Sequence, residues 1–373
     1  MLSDLDALMR GRGIDVVIVP MHESMHPSFR WLARGAKVTR GYAVKFAGRD
    51  PMIVTYPMER GEAAASGLEV RLASEFGPPA ETPDAYAQFF ANIAGDAKTI
   101  AIYGNVPLHL YSGIIAALGE RAYRANGEDL IQLARKRKDP REIEAIRSVG
   151  ERTEEVVDEV RRALRDWKPG LKLGDLKAIV RDGITKRGMI EDHDTILSQG
   201  RDAGIPHSRG DANAPVERSS PIVLDIFPVD RDTGYFFDMT RTFCVGDVPA
   251  ELAQVHAHVL EAFERARDAM HPGTNAADYQ NLVSDYFESL GYPTTRKDPQ
   301  TLEGYVHGLG HGVGLDIHEK PGRSDLIEVG DVVTIEPGLY FPDRGIGVRI
   351  EDTFVVEADG VRSLCRSPYS LAP

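Results

Sequence analysis

Cysteine is almost missing: Cys244 and Cys365 are the only two in 373 residues. They cannot build a disulfide framework or a thiolate metal cluster, and two separate buried thiols are the simpler reading. Long apolar runs are missing too. No stretch approaches the ~18 consecutive apolar residues of a membrane span. The opening MLSDLDALMRGRG carries Asp4 and Asp6 and no sustained apolar run, unlike a signal peptide. A cytoplasmic location is therefore the expectation. The third absence is basic excess. Lys and Arg number 44 against 57 Asp and Glu, a formal charge of −13, whereas a binder of nucleic acid or anionic membrane needs a basic face. Internal repeats, low-complexity segments and a phosphate-binding glycine fingerprint are likewise missing.

What is present suits a soluble protein with a large core: 42% hydrophobic and 27% charged residues. The length fits two domains. Residues 1–135 alternate helical and strand patterns. Helical stretches are Leu2 to Arg12, PDAYAQFFANIA and VPLHLYSGIIAALG; strand-like runs are IDVVIVP, YAVKF, PMIVTY and TIAIY. The basic run Arg135 to Lys138 reads as solvated surface. Asp139, Pro140 and Glu142 then form a helix start, with Asp139 as cap. We place the domain boundary here, giving 1–135 and 136–373 in an α/β (α+β) chain. The second part predicts helices from Pro140 to Trp167, Leu173 to Gly188, Ala250 to Met270 and Ala276 to Leu290. Its last ~70 residues are Gly-rich and strand-like.

Chemistry is concentrated in three stretches. In IVLDIFPVDRDTGYFFDMTRTFCVG, two strand-like runs flank a turn-rich cluster, a hairpin signal. With the turn centred on Arg231 and Asp232, Asp225 and Asp238 stand directly opposed on one face, with Cβ atoms about 5 Å apart. Two carboxylates at that distance repel unless one is protonated or a cation lies between them. Asp230 and Asp232 read as solvated turn residues. The second stretch, HGLGHGVGLDIHE, holds His307, His311 and His318 among glycines at 308, 310, 312 and 314. That glycine density argues for backbone passing close to something. In the third stretch, Glu336 ends the apolar run Val332 to Ile335, and Glu351 interrupts the run Ile346 to Val356. Arg349, two residues away on the same strand face, offers Glu351 an ion-pair partner. Together, four carboxylates and a histidine make a hard, oxygen-rich site suited to Mn²⁺, Fe²⁺, Co²⁺ or Zn²⁺.

These stretches resemble those of the metallopeptidases with the pita-bread fold: methionine aminopeptidases, aminopeptidase P and prolidase. The resemblance runs from about Lys138 to the C-terminus. It extends more weakly to the first domain, which is similar to the smaller domain of aminopeptidase P, prolidase and creatinase. It implies a creatinase-like α/β domain followed by a pita-bread catalytic domain, and a homodimer acting on peptides. It also implies two divalent metal ions, Mn first and Co or Zn as alternatives, held by Asp225, Asp238, His311, Glu336 and Glu351. Asp238 and Glu351 would be shared between the ions. Glu336 would also relay a proton, His318 would stabilise the oxyanion, and His307 would help to position substrate. His207, Tyr340 and Arg349 would bind substrate. The implied reaction removes the N-terminal residue, at Xaa-Pro bonds in the aminopeptidase P and prolidase branch. Three alternatives accompany it: an aminopeptidase without strict proline specificity, a peptide-binding member without catalysis, and a creatinase-like amidinohydrolase. Retention of all five ligand positions counts against the last two. One departure stands out. The spacing of Asp225 and Asp238 is two residues longer than usual in the family, which preserves parity and keeps both on one face.

Overall fold

In the computed structural model, which describes residues 1–22, 26–78, 80–125 and 127–373, the chain divides into two units, Met1–Arg135 and Lys136–Pro373. The first is built on a five-stranded mixed sheet. Val16–His22 pairs antiparallel with Arg40–Phe46 and parallel with Ile100–Ile102. Met52–Thr55 pairs antiparallel with Arg40–Phe46 and parallel with Glu69–Leu72. The two-residue period of a strand divides its apolar residues between two cores. Val17 and Val19 pack with Leu5, Met9 and Leu130, while Val16 and Ile18 pack with Phe89, Phe90 and Ile114.

The second unit opens on the helix Pro140–Arg165. Asp139 caps it, accepting from the Arg141 and Glu142 amides, and Glu142 accepts in return from the Asp139 amide at 2.8 Å. Its buried face runs through Ile146, Val149, Val156, Val157, Val160 and Leu164. Each fully buried valine contributes on the order of 1.5–3 kcal/mol. With the helix Leu173–Lys186 it covers the strands Met239–Cys244, Pro221–Ile226 and Ile196–Gln199, hydrogen-bonded in that order and antiparallel throughout. A second core lies between the helices Ala250–Ala269 and Ala276–Ser289 and the later strands Val332–Ile335, Gly338–Phe341, Ile346–Arg349 and Asp352–Glu357. The two halves meet where Thr240 bridges to Glu351. No helix of the described residues is long and apolar enough to cross a membrane.

Four local expectations are corrected. The hairpin register pairs Asp225 with Thr240 and Val229 with Phe236, so the turn lies one residue later than Arg231–Asp232. Asp238 sits diagonally from Asp225 on the same face instead of directly opposite. Asp230 is a buried residue, at 7% exposure: it accepts from the Thr233 amide and pairs with Arg152 at 2.8 Å, and so holds the turn from inside. The basic run is also inside, with Lys136 and Lys138 buried; Lys136 pairs with Glu328 and Lys138 with Glu319, both at 2.6 Å. Finally, the run Ile346 to Val356 is two strands, Ile346–Arg349 and Asp352–Glu357, broken where Glu351 turns to Thr240.

Candidate metal centre

Three close approaches of backbone build the site. Gly312 exchanges hydrogen bonds with Glu319 and bridges to Val333. A Cβ at Gly310 would fall on the Thr334 carbonyl oxygen, and one at Gly312 on that of Lys320. Only glycine lets these segments pass, which is what the spacing of HGLGHGVG anticipated. The loop thus lies along the strand that leads into Glu336 and brings the His311 and His318 rings to 4.3 Å between centroids. From the other side, the strand alternation of Pro221–Ile226 and Met239–Cys244 delivers Asp225, Asp238 and Thr240 to the same face.

These segments converge on one cavity of about 450 Å³. His207, Asp225, Asp238, His307, His311, His318, Glu336, Arg349 and Glu351 reach its wall. One ligand atom each from Asp238, His311 and Glu351 lies within 4.8 Å of the others. His311 Nε2 stands 3.6 Å from both Asp238 and Glu336. Its Nδ1 lies 3.1 Å from the Gly312 carbonyl. That carbonyl can only accept, so Nδ1 carries the proton and the Nε2 lone pair faces the carboxylates.

Charge is badly out of balance here. Arg349 reaches Asp225 at 2.5 Å, Thr240 Oγ1 at 3.1 Å and the Tyr340 hydroxyl at 2.9 Å. Glu351 therefore does not take its sequence neighbour Arg349 as hydrogen-bond partner; it accepts from Thr240 Oγ1 at 2.7 Å. Arg349 is buried among four carboxylates. Burial, reinforced by the neighbouring carboxylates, pushes Asp238 and Glu351 well above the usual carboxylate range. Burial pushes Glu336 up to about 8, with Asp225 adding to the shift and Arg349 opposing it. Burial also depresses His307 and His311 to about 3, keeping both rings neutral. Asp225 Oδ1, Asp238 Oδ1 and Glu351 Oε1 are buried without a hydrogen-bond partner among the described residues. Unsatisfied buried carboxylate oxygens beside a neutral imidazole fit divalent cations and fit little else.

Two residues occupy places the sequence did not foretell. Tyr340 is fully buried and does not reach the cavity wall. Its hydroxyl accepts from Arg349 and meets His307 Nε2 at 2.8 Å, so it stands behind the residues that face substrate. Arg323 does reach the wall and is exposed there. Sequence reading missed it because a lone arginine between Gly322 and Ser324 carries no spacing signal. Phe227, Ile196 and Ile317 supply an apolar part of the wall. Nothing but the hairpin register would have put Phe227 there.

An open cavity with a neutral imidazole, surplus buried carboxylates and a proton acceptor has the parts of a metal-dependent hydrolase. Residues 144–358 match the model of metallopeptidase family M24, and the chain belongs to that family. It is 34% identical to the Xaa-Pro dipeptidase of Pyrococcus furiosus over 182 residues, 48% of this chain and 49% of that protein. That alignment spans about half of the relative's length. Identity to the Xaa-Pro dipeptidase of Pyrococcus horikoshii is 29% over 338 residues, 87% of this chain and 90% of that protein. The crystal structure of X-Pro aminopeptidase from Thermotoga maritima matches with a TM-score of 0.79 at 25% identity, covering 100% of this chain and 99% of that one.

Proposed function

We propose that the protein is an exopeptidase that releases the N-terminal residue from peptides whose second residue is proline, and that dipeptides are its best substrates. The observation that carries this reading is the single cluster of Asp225, Asp238, His311, Glu336 and Glu351, with unpaired buried oxygens, on the wall of a peptide-sized cavity. These five residues would hold two divalent cations, with Mn²⁺ preferred by the oxygen-rich donor set. Bound there, the cations would supply an acidic water and an electrophilic hold on the scissile carbonyl.

The remaining work falls to side chains. Glu336, beside His311, takes the proton of the attacking water on its carboxylate and returns it to the departing proline nitrogen. His318 is exposed at the cavity, and its ring nitrogens have no hydrogen-bond partner among the described residues, so it is free to donate to the developing oxyanion. His307 is fixed between the Gly308 carbonyl at 2.7 Å and the Tyr340 hydroxyl, and offers its ring as a wall for the substrate. His207 is exposed on the same cavity wall. Arg349 keeps Asp225 in place. The exposed guanidinium of Arg323 suits the free carboxylate of a dipeptide, which favours the prolidase type over cleavage of longer peptides. The creatinase-like first domain, the homodimer and the cytoplasmic setting complete the proposal; both cysteines are free and buried, as in a reducing compartment.

The test is to strip the metal with chelator and restore Mn²⁺, Co²⁺ or Zn²⁺. Xaa-Pro, Xaa-Pro-Yaa and Xaa-Ala-Yaa peptides are then followed by mass spectrometry. The expected result is cleavage of Xaa-Pro first and of Xaa-Pro-Yaa more slowly, with Mn²⁺ restoring the most activity. Cleavage confined to Xaa-Ala-Yaa would overturn the proline assignment, and no cleavage with any metal would overturn the peptidase.

A further inference from the structure

The buried end of the basic run has a task that its composition does not suggest. Lys138 Nζ meets Glu319 Oε1 at 2.6 Å, with the two side chains 1% and 2% exposed. Lys138 itself is held firmly: its amide donates to the Gly330 carbonyl at 2.8 Å, and its ammonium donates to the Lys136 carbonyl at 3.0 Å. Glu319 follows His318 directly in sequence, and its backbone exchanges both hydrogen bonds with Gly312, the residue after His311. Gly314 leaves room for the Glu319 carboxylate, because a Cβ there would land on Oε1. The Gly314 carbonyl in turn accepts from the Phe236 amide at 2.8 Å, two residues before Asp238.

Stability alone does not call for this ion pair. Two charges this deep lose their hydration, and an apolar pair of similar volume would hold the fold as well or better. What a charged pair adds is a single geometry. We propose that Lys138 is a positioning residue for His318: through Glu319 it fixes the closed 312–319 loop and thereby the imidazole that faces the reacting carbonyl. The proposal rests on the peptidase reading for the consequence in turnover, but not for the consequence in structure.

The test is Glu319→Gln, which keeps the size of the side chain and removes its charge. In the Mn²⁺-loaded enzyme kcat is expected to fall about ten- to hundredfold, as for other residues that orient a reacting group, with KM nearly unchanged. In the Zn²⁺-loaded protein the His318 ring resonance, assigned by its loss in His318→Gln, is followed by ¹H–¹³C correlation. It should be a single sharp signal in the wild type and broadened or doubled in Glu319→Gln. Wild-type kcat in folded Glu319→Gln, or an unaltered His318 signal, would overturn the proposal. Should Glu319→Gln not fold, the apolar pair Lys138→Met with Glu319→Met preserves packing and is judged by the same two measurements. A wild type without peptidase activity would remove the functional reading and leave the His318 signal to decide the positioning role.

Discussion

Two buried arginine–carboxylate clusters lie back to back on the same pair of strands. Glu351 lines the cavity and Thr240 lies on the same face, bonded to it; Arg241 and Asp352, one residue on, face the other way. On the hidden side, Arg241 donates to Asp352 at 2.8 Å and to the carbonyls of Thr240, Glu351 and Ser367, and its guanidinium lies 4.6 Å from the centre of the Tyr369 ring. The second Asp352 oxygen accepts from the Tyr369 hydroxyl at 2.5 Å. One cation thus meets one carboxylate, and both carboxylate oxygens are used. On the cavity side the buried Arg349 pairs with Asp225 alone among four carboxylates, Arg323 is exposed on the wall, and three carboxylate oxygens are left over. Arg349, Asp238 and Glu351 lie nearly as deep as Arg241 and Asp352, all at 5% exposure or less. What separates a structural ion pair from a site is therefore the balance of charge and hydrogen bonds, not depth.

The largest expected difference between the two faces is in turnover. Glu336→Gln removes the proton acceptor and should lower kcat by about 10²–10⁴-fold. It also relieves repulsion among the carboxylates, so the chelator-treated variant should resist urea at least as well as wild type. Asp352→Ala should do the reverse. Stranding Arg241 without its partner costs about 3–5 kcal/mol of stability, read as a lower urea midpoint, while kcat per folded molecule stays as in wild type. A Glu336 variant that unfolds, or an Asp352 variant that folds normally without turnover, would erase the distinction.

How far the sequence could see this depends on which physics each feature needs. The helix from Pro140 was legible because its cap, its first-turn proline and its apolar period are all local. So were the strands of the first unit whose residues are apolar on both faces. The edge strand Glu69–Leu72 went unread because EVRL is half exposed and carries no clear alternation. In the candidate site, the residue set and the shared face of Asp225 and Asp238 were readable, since parity survives an error in the turn. The diagonal pairing of those two was not, because register is settled by the inner pairs Val229–Phe236 and Met189–Asp230. The buried state of Lys136 and Lys138 was hidden for a different reason. Their partners Glu328 and Glu319 lie far away along the chain, and a charge run has no local mark of what it will meet. Arg241 and Asp352 were passed over for the same cause.

A smaller effect sharpens the comparison through pH. In the absence of metal, Glu336 is held up at about 8, and Asp238 and Glu351 are raised as well. An unfolded chain releases those protons near pH 4 to 4.5. Between about pH 4.5 and 8 these carboxylates bind more protons in the native state than in the unfolded one and make stability fall as pH rises; below about pH 6.5 the depressed His307 and His311, protonated only in the unfolded chain, act in the opposite sense. The melting temperature of chelator-treated protein should therefore decline from about pH 6.5 to pH 8, where only the carboxylates still titrate, and saturating Mn²⁺ or Zn²⁺ should flatten the slope. In Glu336→Gln the metal-free slope should be shallower. A slope in the metal-free protein that is flat or rises would mean that the carboxylates are already compensated, and the surplus of charge on the cavity face would be gone.

The smallest effect concerns Tyr340, which the sequence resemblance assigned to substrate and the structure puts behind the wall. Tyr340→Phe removes one hydroxyl and almost no volume. His307 Nε2 then loses its donor and Arg349 loses an acceptor, a loss of the order of 1–1.5 kcal/mol for the bonds involved. If the hydroxyl touched substrate, the variant would raise KM for every peptide with kcat little changed. Because it instead orients His307 and Arg349 from behind, kcat should drop about tenfold while KM moves little. The two outcomes are easily separated in one set of initial-rate measurements on Xaa-Pro. A rise in KM alone would return Tyr340 to the substrate side and would require the cavity to open toward it when peptide binds.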